Sequence, residues 1–144
     1  MLCFFVTSQV STDFVSTSDL TTFDWTTYAE NSEVKLEVKR SDCYVNSGLD
    51  KQYFLIRLTN MTQSDVTISW NMELFYNNDC KTCGMDEYLW QINLAPNGTA
   101  VGDCQVGSLN KLRMFSKFID ANYSSNDELT GFQFKDLTVL PSTL

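Results

Sequence analysis

The chain contains no histidine. That absence removes the commonest general base and the commonest metal ligand, so neither Ser-His-Asp nor Cys-His catalysis can be assembled within its 144 residues. Any hydrolysis would fall to carboxylates. Positive charge is also scarce: ten Lys and Arg stand against eighteen Asp and Glu, and the formal charge is -8. The basic residues are scattered without forming a stripe, and such a surface repels a phosphate backbone, which argues against nucleic acid as a partner. No window beyond the N-terminus approaches the ~20 apolar residues of a membrane helix, so no transmembrane span is expected in the mature chain. Two prolines and six glycines are too few for a collagen-like or low-complexity chain. No internal repeat is visible, which excludes solenoids and propellers. Apolar residues nowhere recur at helical spacing over three capped turns, so little helix is expected.

Beside these absences stand a short apolar leader and a set of cysteines. Met1 to Ser8 reads as the end of a secretory apolar region, with a small residue at Ser8 for cleavage and Gln9 opening the mature chain. Residues 1–8 are therefore expected to be a signal-peptide remnant, 9–22 a flexible N-terminal arm rich in Ser, Thr and Asp, and 23–144 a single β-sandwich domain. The implied compartment is the periplasm, the outer surface or the medium. Cys43, Cys80, Cys83 and Cys104 remain after cleavage, an even number that supports two disulfides with three possible pairings. If the strands run up and down, Cys43 with Cys80 and Cys83 with Cys104 is the favoured pairing. Cys80-Lys81-Thr82-Cys83 also fits the redox C-x-x-C pattern, but Gly84-Met85-Asp86-Glu87 leads from it into a strand, without the helix N-terminus that would lower a thiol's pKa. A zinc site needs two such knuckles, and only one is present. No metal and no cofactor is expected.

The hydrophobic pattern has period two. Val34, Leu36 and Val38 alternate with Glu33, Lys35, Glu37 and Lys39. Tyr53 to Thr59 is nearly all apolar, as in a central strand, and Val66, Ile68, Trp70, Met72 and Leu74 make the longest alternating run. Tyr88, Trp90, Ile92 and Leu94 alternate again and stop at the Pro96-Asn97-Gly98 turn. Thr99 to Val101, Leu112 to Ile119 and Leu129 to Leu140 complete the series. In the last, Phe132 and Phe134 share one parity and Leu137 and Val139 the other, so a bulge near Lys135-Asp136 is expected to keep all four inward. Short strands between regular turn signals predict an all-β fold, an antiparallel Ig-like or fibronectin-like sandwich of seven to eight strands with little helix. An eight-strand barrel is the alternative.

Candidate chemistry is sparse. Asp42, Asp50, Asp79, Asp86, Glu87 and Asp103 sit in turns, where carboxylates serve local backbone hydrogen bonds, and no D-x-D-x-D-G calcium loop is present. Three triplets, Asn60-Met61-Thr62, Asn97-Gly98-Thr99 and Asn122-Tyr123-Ser124, fit the glycosylation sequon. With ten Phe, six Tyr and three Trp, the chain has more aromatics than a small core needs. Trp25, Tyr28, Tyr44, Tyr76 and Tyr123 are candidates for a face that stacks on a ligand.

The run Tyr53-Phe54-Leu55-Ile56-Arg57-Leu58-Thr59-Asn60, then Ile68-Ser69-Trp70, Asp79-Cys80-Lys81-Thr82-Cys83 and Gly102-Asp103-Cys104, resembles small exported β-sandwich proteins of Bacteroidetes-type bacteria. The likeness covers roughly residues 25 to 140, and the Ser8-Gln9 junction resembles cleavage sites in that group. It carries no functional residue with it. The expectation is a non-catalytic binding module of the cell envelope for a protein, peptide or glycan. The alternative is an assembly component that joins a partner by strand addition, and a carboxylate-based hydrolase comes last.

Overall fold

The computed structural model describes residues 8–44, 50–105, 110–119 and 127–142. Eleven strands succeed one another: β1 (Ser8–Gln9), β2 (Val15–Ser16), β3 (Thr26–Glu30), β4 (Val34–Cys43), β5 (Lys51–Asn60), β6 (Val66–Tyr76), β7 (Asp79–Cys80), β8 (Leu89–Leu94), β9 (Thr99–Val101), β10 (Arg113–Phe118) and β11 (Leu129–Pro141). Eight have three residues or more and three have two, which agrees with the seven to eight expected. Three short 3-10 turns, Thr17–Asp19, Asp86–Tyr88 and Asn110–Leu112, are the helical content of the described residues.

Two antiparallel sheets pack face to face. In the first, β1 and β2 pair with β11, β11 with β6, and β6 with β7 and β8. In the second, β3, β4 and β5 form a meander, and β5 then takes both β9 and β10 on its far side. The alternation read from the sequence fixes the inward faces. Val34, Leu36 and Val38 of β4, Phe54, Ile56 and Leu58 of β5, and Val66, Ile68, Trp70 and Met72 of β6 are all buried. Aromatic rings join the layers: Phe54 of β5 lies 6.1 Å from Phe132 of β11, and Tyr28 of β3 lies 5.1 Å from Phe134.

The bulge expected in the last strand is present. The pairing of β11 with β6 slips between Lys135 and Thr138, and Asp136 takes φ 54°, the left-handed conformation that admits one extra residue. Phe132, Phe134, Leu137 and Val139 consequently all face inward, each no more than 1% exposed.

Two expectations need correction. Residues 9–22 are built into the sandwich instead of forming a loose arm: β1 pairs with Thr138 and Val139, β2 pairs with Gly131 and Phe132, and Val10 is buried. Hydroxyls that look solvated in the sequence meet strand carbonyls. Thr12 Oγ1 donates to Phe134 O at 2.5 Å and Thr17 Oγ1 to Leu129 O at 2.8 Å. Gly131 makes room for the Phe14 ring, which would collide with any Cβ there and which packs edge-on against Phe75 at 5.0 Å.

The disulfides are Cys43–Cys104 and Cys80–Cys83, not Cys43–Cys80 and Cys83–Cys104. The reason is topological. Cys43 ends β4 and Cys104 comes after β9, and both strands flank β5, whereas Cys80 lies in the other sheet, hairpinned to β6. Between the second pair of cysteines, the buried Thr82 hydroxyl accepts from Leu74 N at 2.9 Å and donates to Met72 O at 2.7 Å. It thereby fills the stretch of β6 where the ladder to β8 has ended and the ladder to β7 has not begun.

Candidate functional site: an aromatic cleft between two sheet edges

Strands β8 and β10 are the outer strands of the two layers on the same side of the sandwich, and a cleft of about 440 Å³ opens between them. The first sheet contributes Met72, Leu74, Tyr76 and Trp90, and the second contributes Tyr53, Arg113 and Phe115. The short turns before β8 and β10 add Glu87, Tyr88, Asn110 and Lys111. This is a concave, largely aromatic surface with a few polar groups, the composition ligand sites share. A second hollow, about 510 Å³ beside Arg40, is walled mainly by hydroxyls from Ser16, Thr17, Ser18 and Thr130 and offers little to stack on.

The cleft exists because β8 is an edge. Trp70 and Ile68 in β6 are 0% exposed, while their cross-strand neighbours Trp90 and Ile92 in β8 are only half-buried. Trp90 stands edge-on to Tyr88 at 6.1 Å, and Tyr53 stands edge-on to Phe115 at 6.0 Å. Tyr76 spans the gap, its hydroxyl donating to the Phe115 carbonyl at 2.6 Å. Burial, with smaller contributions from Tyr88 and Tyr53, pushes the Tyr76 phenol well above its ordinary pKa, so it remains a protonated donor.

One cation here is held by a ring face and the other by a backbone carbonyl. The Arg113 guanidinium carbon sits 4.7 Å from the centre of the Tyr53 ring, and its Nε is buried without a hydrogen-bond partner among the described residues. Lys111 Nζ donates to the carbonyl of Gln91 in β8 at 2.7 Å.

Of the five aromatics named from the sequence, Tyr76 lines this cleft, and Trp25, Tyr28 and Tyr44 do not. Trp25 lies on the outer face of the second sheet, 4.4 Å from the Arg57 guanidinium and 5.8 Å from Lys39 Nζ. Tyr28 packs on Phe132 and Phe134, donates to Asp13 O, and has its phenol pushed up to about 12, chiefly by burial. Tyr44 is exposed at the end of β4 without joining this group. Tyr123 lies outside the described residues, as does the sequon at Asn122. Tyr53, Tyr88, Trp90, Arg113 and Phe115 line the cleft without having been named from the sequence as ligand contacts. Alternation gives Tyr88 and Trp90 the signature of core residues, because it marks an inward face and not whether the opposite layer covers it.

Of the carboxylates expected in turns, Asp42 lies in β4 and Asp79 in β7, and their partners are structural. Asp42 accepts from Gln52 Nε2 at 2.8 Å, Asp79 pairs with Lys81 at 3.0 Å, and Asp103 accepts the Gln105 N–H at 2.9 Å. Among the described residues, the group of potential metal ligands that converges is Glu73 with Cys80 and Cys83, and both sulfurs are already joined to each other. The Asn60 sequon is structural. Its side chain is fully buried, donating to Ser64 O at 2.7 Å and Ala95 O at 2.9 Å and accepting from Thr62 N at 2.9 Å. No helix among the described residues is long and apolar enough to cross a membrane. Comparison of the chain with family models, with curated proteins and with solved structures gave no match.

Proposed function

We propose that this chain is an exported, non-catalytic binding module of the cell envelope that takes an extended ligand, a protein segment, peptide or glycan, in the cleft between β8 and β10. The observation that carries this reading is the gathering of Tyr53, Tyr76, Tyr88, Trp90 and Phe115 from both sheets around an opening of about 440 Å³. Aromatic faces bind the apolar face of a sugar or an apolar side chain at low entropic cost, and a cation nearby fixes orientation. Export is supported by the apolar leader and by the two disulfides, which persist in oxidising compartments.

The test is a binding survey of the intact, oxidised protein against an oligosaccharide panel and a displayed library of random twelve-residue peptides. The hits are then titrated against Trp90→Ala and Tyr88→Ala. A loss of at least about tenfold is expected on Trp90→Ala with the fold retained by circular dichroism, the effect of removing one stacking group. Ligands that bind both variants as well as the parent would place the site elsewhere.

A further inference from the structure

We infer that β8 is a strand-addition edge: an extended peptide pairs with Leu89–Leu94 and drops alternate side chains into the aromatic cleft. This rests on the cleft being the binding site, and it specifies the ligand class and the mode of capture. Natural sheets blunt their edges with short strands, charges or bulges, and other outer strands among the described residues carry such devices. Strands β1, β2 and β7 have two residues each. Strand β3 ends in Glu30 and bulges between Thr27 and Ala29, and β10 carries Arg113 and Lys117 and bulges between Phe115 and Lys117.

Strand β8 has none of these devices. Its six residues, Leu-Trp-Gln-Ile-Asn-Leu, include no charge, proline or glycine, its register with β6 is unbroken, and Leu89 is 49% exposed. Among the described residues it pairs with β6 alone. Among the described residues, the side chain that meets its outer backbone is Lys111, whose ammonium donates to the Gln91 carbonyl at 2.7 Å. In an antiparallel strand the N–H and C=O of one residue point the same way, so Gln91 and Asn93 present both backbone groups outward and Leu89 its carbonyl, the Leu89 N–H being bonded to Asp86 O. Displacing one lysine exposes a ladder.

The occupant is a peptide from another protein, for three reasons. A ladder of alternating N–H and C=O groups is matched by a polypeptide backbone and not by a sugar chain. Side chains spaced by two residues on an added strand fall on the cleft side, where an apolar aromatic surface awaits them. Lys111 and Arg113 against Glu87 leave the cleft locally positive, so an acidic residue in the peptide is favoured. A second copy offers no such residue in its own β8 and would bring both pairs of cations together.

The experiment resynthesises peptides selected from the random twelve-residue library on the intact protein, with single backbone N-methyl groups placed at each position in turn. Alternating apolar residues are expected in the selected peptides, with affinity falling at least about tenfold for N-methylation at every second position and holding at the positions between. Gln91→Pro, which removes an outward N–H and leaves the β6 ladder intact, should reduce affinity to the same degree. An N-methyl scan without alternation overturns strand addition, and the module reading survives if Trp90→Ala still abolishes binding. Trp90-dependent capture of an oligosaccharide with no peptide selected also overturns it while leaving the module. A dimer in sedimentation that Gln91→Pro dissolves overturns it in favour of a second copy. Absence of any Trp90-dependent ligand overturns both readings.

Discussion

At the scale of single residues, type was legible and role often was not. Asn60 reads as a glycan acceptor in a string of letters, yet its amide is consumed in tying the end of β5 to the turns at Ser64 and Ala95. The triplet says nothing of burial, and a buried amide is held because, shut away from water, it must find its hydrogen-bond partners within the protein. Glu37 and Arg57 show the same gap. Alternation puts both on the outer face of strands, but their cross-strand register brings the Arg57 Nη2 to 2.8 Å from the Glu37 carboxylate, and Glu37 is 7% exposed. The Arg57 hydrogen bond holds the Glu37 carboxyl below its ordinary value against the opposing effect of burial. A depressed carboxyl contributes stability that is present above the unfolded carboxylate range and is lost as the pH falls through the folded value. Glu37→Gln should therefore cost about 2 kcal/mol at pH 7, the scale of a charge-assisted hydrogen bond. The difference from the parent should shrink as the pH falls below the unfolded carboxylate range and through the depressed folded value. Urea unfolding of both proteins between pH 3 and 7 measures this, and a constant difference would mean that the charge on Glu37 adds nothing.

At the scale of elements, period and parity carried most of the fold. The inward rows of β4, β5 and β6 and the bulge in β11 were legible because two-residue alternation is a local property of the chain. Partner choice is not local. The cysteine pairing failed because it assumed that strand ends meet within one up-and-down series, whereas the β3-β4-β5 meander takes β9 onto its own sheet and carries Cys104 with it. The two bridges are consequently unequal. Cys43–Cys104 joins positions 61 residues apart, and the Cys80–Cys83 ring closes over a separation of three. Loop-closure entropy assigns about 4 kcal/mol to the first and about 2 kcal/mol to the second. Paired serine replacements are expected to lower stability in that order, with Cys43→Ser/Cys104→Ser the more damaging in denaturant titrations. The reverse order would show that the Cys80–Cys83 loop, anchored by Thr82 on β6, matters more than the long closure.

At the scale of the whole molecule, the two sides of the sandwich are unlike. One side is strapped: residues 8–17 run along β11, pair through β1 and β2, and bury Val10 against the core. The other side, between β8 and β10, is open and aromatic. Ser and Thr content makes the strap look solvated and loose in the sequence, and parity makes Trp90 and Ile92 look like core, which hides the opening. Both errors come from asking what a residue prefers without knowing what lies across from it. The strap does two things at once, covering apolar surface and occupying the free backbone of a thirteen-residue strand that would otherwise be the longest bare edge in the fold. Removing residues 1–16 should therefore have two separable effects. Losing the burial of Val10 and the hydrogen bonds of Val10 and Thr12, offset by the chain entropy regained, is expected to cost about 2–4 kcal/mol and lower the thermal midpoint. Baring the β11 edge is expected to produce concentration-dependent self-association in sedimentation velocity, which adding back a peptide spanning residues 8–17 reverses. A truncated protein that melts like the parent and stays monomeric would mean that β11 needs no cover, and the contrast between a closed and an open side would lose its basis.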